Sequence, residues 1–473
     1  MNPVRNSIIG LAIGDILGVP VEGVARVMLD KDPVIGPRGY GTHDQPQGTW
    51  SDDTSLTLCL ADSLIHGYNL EDMAKTFLLW KIKGGWTADG TVFDIGVQTS
   101  HALKDLLRIL ENGDTESLEL LYLEAGEQTN GNGSLMRILP LYFLLQHDHL
   151  EGRFETIWHT SALTHPHVRS ALACLMYLIM LDELTLADSP HNAYLRTAKR
   201  MREFLDTEHP EERVHFARLI DRDISTLSRN EIRSSGYVVD TLEATFWCIT
   251  TTTSYAEAVL VAVNLGDDTD TTASVTGGLA GFYYGIDTVP IVWYETVARI
   301  EDIEILCDQL HKTYPGKPYT PSPLVRFLLG DGVDGAGHSF RDVLAMNDAS
   351  LEAEHDYIQW LFPLREHSEA VWDAPTLTNS DITYITENEV VRANLVEALV
   401  RMADFFRDND QWLAPKNHNH LRITRILKSS RLLLGPEHAR AYYEFILQQV
   451  ETCRAPIDPT HKAYWDRAVG KIS

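Results

Sequence analysis

Apolar side chains in this chain recur every three or four residues and almost never every second residue, a spacing that directs it toward packed helices. Leu56, Leu60 and Leu64 take positions i, i+4 and i+8 of a segment from Asp53 to Ile65. Leu70 to Ile82, Phe93 to Leu110, Pro166 to Leu181, Val238 to Thr250 and Tyr255 to Leu265 carry the same period. With so little alternation, a sheet has nothing to be built from. An all-α domain of many short helices is expected over residues 1–310. Asp30 to Gln47, rich in Gly and Pro, reads as a long loop within it.

At 473 residues the chain is too long for one core. The break is expected where composition shifts: His311 to Pro323 holds four prolines in thirteen residues, which no helix tolerates. Residues 311–324 therefore read as a linker, and 325–473 as a smaller helical domain. Its helical patterns run over Leu351 to Leu361, Glu387 to Phe406, Leu421 to Leu434 and Pro436 to Val450.

Acidic residues outnumber basic ones by 67 to 40, a formal charge of −27 that repels phosphate backbones and anionic lipid. Neither nucleic acid nor a membrane surface is an expected partner. The clean apolar run Ala171 to Leu181 is eleven residues, too short to span a bilayer. The five cysteines are scattered and form no CxxC pair, which argues against a disulfide framework or a zinc ribbon. A soluble, cytoplasmic protein is the expectation.

Two acidic motifs stand at predicted helix starts about 215 residues apart. In Gly48 to Thr54 (GTWSDDT), Ser51, Asp52 and Asp53 would serve as an N-cap and dipole partners if taken alone. In Gly266 to Thr271 (GDDTDT), five successive acidic or hydroxyl side chains exceed what a cap requires. That helix continues with Ala273, Gly277, Gly278, Ala280 and Gly281, small residues that admit another backbone and draw the acidic start into the bundle. Buried carboxylates need partners, and oxygen donors without nearby cysteine suit Mg²⁺ or Mn²⁺ better than Zn²⁺. Asn130 to Arg137 (NGNGSLMR) is expected to open another helix, where its glycines would let backbone N–H groups approach an anion such as diphosphate. A simple interhelical turn explains it equally well. In Gly10 to Glu22 (GLAIGDILGVPVE), close packing explains the glycines but not Asp15 and Glu22.

The ordered series GLAIGDILGVPVE, WSDDTSLTL, FDIG (Phe93 to Gly96), NGNGSLMRILPL, LTHPH (Leu163 to His167), GYVVDTLEATFW (Gly236 to Trp247) and GDDTDTTASVTGGLAG resembles the ADP-ribosylglycohydrolase family over residues 1–300. That family includes the dinitrogenase-reductase-activating glycohydrolase and the ADP-ribosylarginine hydrolases. The resemblance implies a multi-helix, all-α fold with two Mg²⁺ ions (or Mn²⁺) in a central cleft. It makes Ser51, Asp52, Asp53, Asp268, Asp270 and Thr271 metal ligands, Ser51 standing where the family more often has Thr. Asp267 occupies a position that is Gly in many members and receives no ligand role. Glu22 matches the acidic residue near the scissile bond. Gly131, Asn132, Gly133, Ser134 and Met136 would line the ADP-ribose diphosphate with His165 nearby. Tyr237 would be a platform for adenine, or else a buried structural tyrosine.

Asp94 in FDIG resembles the arginine-directed members. It would hold or protonate a guanidinium leaving group, or simply cap a helix. The implied reaction is Mg²⁺-dependent hydrolysis of the N-glycosidic bond of ADP-ribosylarginine on a protein, through an oxocarbenium-like state, with Glu22 and Asp94 as the catalytic carboxylates. Its products are ADP-ribose and the free acceptor. Another ADP-ribose linkage, to serine oxygen or as an ester, is the alternative within enzymes. A catalytically silent ADP-ribose-binding module is the alternative outside them.

Beyond the linker, LEAEHDYIQWLFPLRE (Leu351 to Glu366), ANLVEALVRM (Ala393 to Met402) and WLAPKNHNHLRITRILKSSRLL (Trp412 to Leu433) resemble the conserved region of opioid growth factor receptors, roughly Val325 to Val450. The resemblance implies a helical module that binds a protein partner or packs on the enzyme. His418 and His420 read as hydrogen-bonded structure rather than metal ligands, and Tyr357, Trp360, Leu361 and Phe362 as core.

Overall fold

The computed structural model describes residues 2–471 except 127, 147, 149, 188, 317–319, 367, 369, 370, 372 and 373; the linker positions 317–319 lie outside the described residues. Regular structure among the described residues is helical, and β pairing is limited to the isolated bridges Tyr40–Gln45, Gly131–Tyr237 and Val333–Ser339. The chain divides into two compact units. One comprises Asn2–Leu184 and Pro190–Lys317, and the main part of the other is Pro318–Ser473.

The helices of the first unit that bear on the site are α1 (Pro3–Gly18), α2 (Asp52–Leu64), α3 (Leu70–Lys83), α4 (Val97–Asn112), α5 (Val168–Leu186), α6 (Val238–Thr251), α7 (Tyr255–Val263) and α8 (Thr269–Tyr284). α1 starts cleanly because the Asn2 side chain accepts from the Arg5 amide and Pro3 occupies the first turn. From Asn6 to Gly18 it is buried on every side, Asn6, Ser7 and Asp15 included. Pro3–Val21 is long and apolar enough to cross a membrane by composition, yet 94% of its most apolar window is buried inside the protein.

α1 and α8 cross in backbone contact. A Cβ at Gly14 would collide with the Ala273 carbonyl, and one at Gly277 with the carbonyl of Gly10. The glycines in both motifs are thereby explained: the two axes approach closer than any side chain would permit. Tyr255 Oη donates to the Gly10 carbonyl (2.6 Å) and Thr269 Oγ1 to that of Gly18 (2.9 Å), which pins the start of α8 to the end of α1. The Ala171–Leu181 run of α5 is buried along its length.

Two elements depart from the sequence pattern. α4 begins at Val97 instead of Phe93, because Asp94 takes φ 43° and the Phe93–Gly96 stretch leaves the helix. The Asn130–Arg137 motif opens no helix of its own and forms successive turns before a five-residue helix at Leu141–Leu145. Its backbone pairs sideways: Asn132 N–H donates to Gly236 O (3.1 Å) and Val238 N–H to Asn130 O (3.2 Å). Groups used in that bridge are unavailable to an intrahelical ladder.

The second unit has its own core, in which Tyr357, Leu361, Phe362, Trp412 and Trp465 are buried and Trp360 packs from the edge. Its longer helices are α9 (Glu389–Asp408), α10 (Asn419–Leu433), α11 (Pro436–Thr452) and α12 (Pro459–Ala468). The expected helix Leu351 to Leu361 is broken into Asp348–Ala353 and Tyr357–Leu361. Arg422 draws the carbonyls of Leu351 (2.9 Å) and Glu354 (2.6 Å) to its guanidinium at the break. His420 is buried, with Nε2 on the Trp412 carbonyl (2.8 Å) and Nδ1 facing His461 Nδ1 (3.1 Å), so it serves the packing.

Candidate active site

Two helix starts and one helix end converge on a cup of oxygen atoms. Ser51 caps α2, its Oγ accepting from the Asp53 amide (3.2 Å). Behind it stands Asp15 of α1. Its carboxylate accepts from the Ser51 amide (3.1 Å), the Thr54 amide (3.0 Å) and Thr54 Oγ1 (2.6 Å). A buried carboxylate of one helix thus caps the next, which accounts for the Asp15 that close packing alone left unexplained. From α8, Thr271 Oγ1 donates to Asp53 Oδ2 (3.2 Å). Asp268 is held by Asn132, whose Nδ2 donates to it (2.8 Å) and to Thr241 Oγ1 (2.9 Å). Asp267 points outward with φ 59°, the left-handed conformation that glycine favours and aspartate tolerates.

Burial pushes the carboxyls of Asp52, Asp53 and Asp270 well above the usual range, and repulsion from neighbouring carboxylates, Asp94 for Asp52, Asp15 for Asp53 and Asp53 for Asp270, adds to it. Asp268 moves the same way, burial again leading. Asp53 Oδ1 and both oxygens of Asp270 are buried with no hydrogen-bond partner. Backbone and hydroxyl donors serve part of the cup only. Four carboxylates and the Ser51 and Thr271 hydroxyls suit a hard divalent cation in their chemistry, and the partnerless oxygens are where one would fit.

Beside the cup lies a cavity of about 240 Å³, whose lining includes Glu22, Asp52, Asp94, Asp268, Asp270 and Thr271, with no Lys or Arg among its lining residues. Glu22 and Asp94 stand together with His43, one ligating atom of each lying within 4.8 Å of the others. His43 Nε2 bonds the Glu22 carboxylate, and its ring rests 5.4 Å from that of Phe93. Burial raises Glu22 to about 7, with the Asp94 charge next in effect. Asp94 caps no helix: Gly96 precedes α4, without a side-chain cap.

The far wall is the glycine turn. Gly131, Asn132, Gly133, Met136 and His165 line the cavity. A Cβ on Gly133 would come within 2.5 Å of His165 Cε1, so the turn and the imidazole edge are in close contact. His165 is neutral, lowered to about 3 by burial and then by the Arg137 charge.

Ser134, Ser51, Asp53 and Tyr237 are not part of the cavity lining. Ser134 turns inward, its Oγ 2.8 Å from Ser161 Oγ, to which it donates because the Ser161 hydroxyl is spent on the His165 carbonyl. Ser51 and Asp53 form the base of the cup. Tyr237 is half-buried and bridged to Gly131 by its backbone, while its neighbour Gly236 reaches the lining. The residues missing from the sequence reading are Asp15, His43, Gln98 and Thr99. Asp15 carried a signal, a carboxylate among glycines in an apolar helix. His43 lay in a loop with nothing to distinguish it.

The ADP-ribosylglycohydrolase family model matches residues 2–319, and the opioid growth factor receptor (OGFr) conserved region matches residues 338–409. The chain is 32% identical to the ADP-ribosylarginine hydrolase Tri1 of Pseudomonas putida over 315 residues, covering 66% of this chain and 78% of that one. A solved structure titled ADP-ribosylglycohydrolase-related protein complex superposes with a TM-score of 0.53 at 28% identity, over 66% of this chain and 98% of the other. The opioid growth factor receptor of Rattus norvegicus is 38% identical over 109 residues, 19% of this chain but only 18% of the receptor. A carboxylate cup beside a cleft, on this all-helical scaffold and with these matches, places the chain in the ADP-ribosylglycohydrolase family, hydrolases that act on ADP-ribose linkages.

Proposed function

We propose that this protein is a Mg²⁺-dependent hydrolase that removes ADP-ribose from arginine side chains of a modified protein. The observation that carries the reading is the set of buried, partnerless carboxylate oxygens on Asp53 and Asp270, next to a cleft with Glu22 and Asp94 in its lining. Ser51, Asp52, Asp53, Asp268, Asp270 and Thr271 would hold the metal, and four carboxylates carry charge enough for two divalent ions. Such ions supply orientation of the ribose hydroxyls and activation of water.

The chain's own residues supply the rest. The bond between ribose C1 and the guanidino nitrogen breaks, water adds to C1, and the leaving nitrogen takes a proton. Glu22, near pH 7 in its proton affinity, can hold and release that proton at neutral pH. His43 orients it through Nε2. Asp94, placed by its left-handed backbone, accepts from the guanidinium, which suits a planar cation better than a neutral hydroxyl. The relatives titled ADP-ribosylarginine hydrolase support the same acceptor. Gly131, Gly133 and His165 line the side assigned to the diphosphate, with Tyr237 beside them toward the adenine. Every metal-ligand position keeps an oxygen donor, which favours an enzyme over a silent reader. The second unit, where His420 and Arg422 serve the packing, would bind a protein partner or pack on the enzyme.

The test is ADP-ribose release from matched arginine- and serine-modified proteins, in Mg²⁺ and in EDTA. Release from arginine in Mg²⁺ alone is expected. Release in EDTA, or from serine only, sinks the reading.

A further inference from the structure

Arg137 is fully buried and has no carboxylate partner among the described residues. Its guanidinium lies 4.6 Å over the Phe77 ring, and its Nε and Nη1 meet no acceptor. Only Nη2 is engaged, donating to the Thr160 carbonyl (3.1 Å) and to Thr164 Oγ1 (2.9 Å). Thr164 Oγ1 is in turn 2.9 Å from His165 Nδ1. All three residues are at most 3% exposed.

The direction of each bond follows from the donors. A guanidinium can only donate, so Thr164 Oγ1 accepts from Arg137. Its hydroxyl hydrogen then has one partner in place, His165 Nδ1, and that nitrogen receives it only if it carries no hydrogen. The reverse arrangement, Nδ1–H into Thr164, would strand a buried hydroxyl hydrogen. The ring itself is held in position, since the His165 amide donates to Ser161 O (2.8 Å) and its carbonyl accepts from Ser161 Oγ (2.9 Å).

We infer that Arg137, acting through Thr164, is a positioning residue that holds His165 as the neutral Nε2–H tautomer, so that the imidazole presents a single N–H donor to the diphosphate along the Gly131–Gly133 turn. Nε2 is the ring nitrogen on that side: a Cβ at Gly131 would lie 3.4 Å from it. The cavity lining holds no lysine or arginine, so a diphosphate there is met by neutral donors, and this N–H is one of them. The diphosphate half of the proposal rests on the ADP-ribosyl reading; the tautomer half rests on the hydrogen bonds alone.

The experiment is ¹⁵N-histidine NMR on the full chain, with the His165 signal identified by its loss in His165→Gln, alongside titrations with ADP-ribose, ADP and adenosine. Wild type should show a neutral imidazole protonated at Nε2. Thr164→Val, which keeps the shape and removes the hydroxyl, should mix the tautomers and weaken ADP-ribose and ADP binding about tenfold while adenosine is unaffected. The same variant should raise KM with kcat nearly unchanged, and Thr164→Ser should restore both readouts. Arg137→Met should scramble the tautomer likewise; if it does not fold, Thr164→Val carries the test. A wild-type Nδ1–H ring or an imidazolium at neutral pH overturns the proposal. Equal losses for ADP and adenosine overturn its diphosphate half. A correct tautomer in a protein that does not bind ADP-ribose overturns the functional reading and that half with it, and leaves the relay standing.

Discussion

At Asp270 both carboxylate oxygens are buried without a donor, and the nearest charges are further carboxylates. A side chain so placed weakens the fold unless a cation meets it, so its replacement should have opposite effects with and without metal. Asp270→Asn, followed by thermal unfolding in EDTA, is expected to melt higher than wild type; in Mg²⁺ it should lose most of the metal-induced gain. Turnover in Mg²⁺ should fall at least about a thousandfold, as when a group central to transition-state charge is removed. Asp94 is a test of acceptor choice. Asp94→Ala should reduce release from arginine by about a hundredfold, the scale of a lost proton-transfer or leaving-group contact, and leave binding of free ADP-ribose intact. Unchanged arginine turnover would remove the reason for preferring that acceptor. The acidic residues were legible in the sequence because too many oxygens stood at two helix starts for capping to use. His43 was not, since its partner Glu22 is twenty-one residues away and only the folded loop brings them together.

Among elements, the crossing of α1 and α8 decides where the site is. Gly14→Ala would drive a methyl into the Ala273 carbonyl and separate the helices, at a cost of about 3 kcal/mol. Because Asp270 rides on α8 next to Gly18, the same change should also weaken Mg²⁺ binding, measured by calorimetry on the folded fraction. An unaltered melting temperature and metal affinity would contradict the close crossing. Asp15→Ala removes the acceptor of two amides and a hydroxyl at the start of α2, and should cost on the order of 3 kcal/mol in the Mg²⁺-bound protein. Small residues at regular spacing made the crossing readable in advance. The turns at Asn130–Arg137 were not readable, because their hydrogen bonds go to residues 236–238, a partner that local periodicity does not reveal. The same holds for the break before Tyr357, which is set by Arg422 from another helix.

For the molecule as a whole, metal, protons and stability are linked in the first unit. Without metal, burial holds Asp15 at about 6 and Glu22 at about 7, and Asp52, Asp53 and Asp270 are raised as well. Protons kept by the folded state but released by the unfolded chain favour folding in acid. That contribution is complete below the ordinary carboxylate range near about 4 and is lost as pH rises toward about 7. Mg²⁺ would have to displace the protons of Asp52, Asp53 and Asp270, so its affinity rises with pH. At a hundredfold excess over Kd, mass action gives about 2.7 kcal/mol of stabilisation. Melting with Mg²⁺ or EDTA should therefore show a larger metal-induced shift at about pH 7.5 than at about pH 5.5, and an equal or reversed difference would contradict the linkage. The two helical units were foreseeable from the proline-rich break and the resumed helical period. The use to which the second is put is a matter of surface, which hydrophobic spacing does not encode.

The most direct measurement is the position of bound metal. Crystals of the full chain grown in Mn²⁺ should give anomalous density within the cup formed by Ser51, Asp52, Asp53, Asp268, Asp270 and Thr271. Saturating Mn²⁺ with no density there, or density confined to Glu22, His43 and Asp94, would contradict the account.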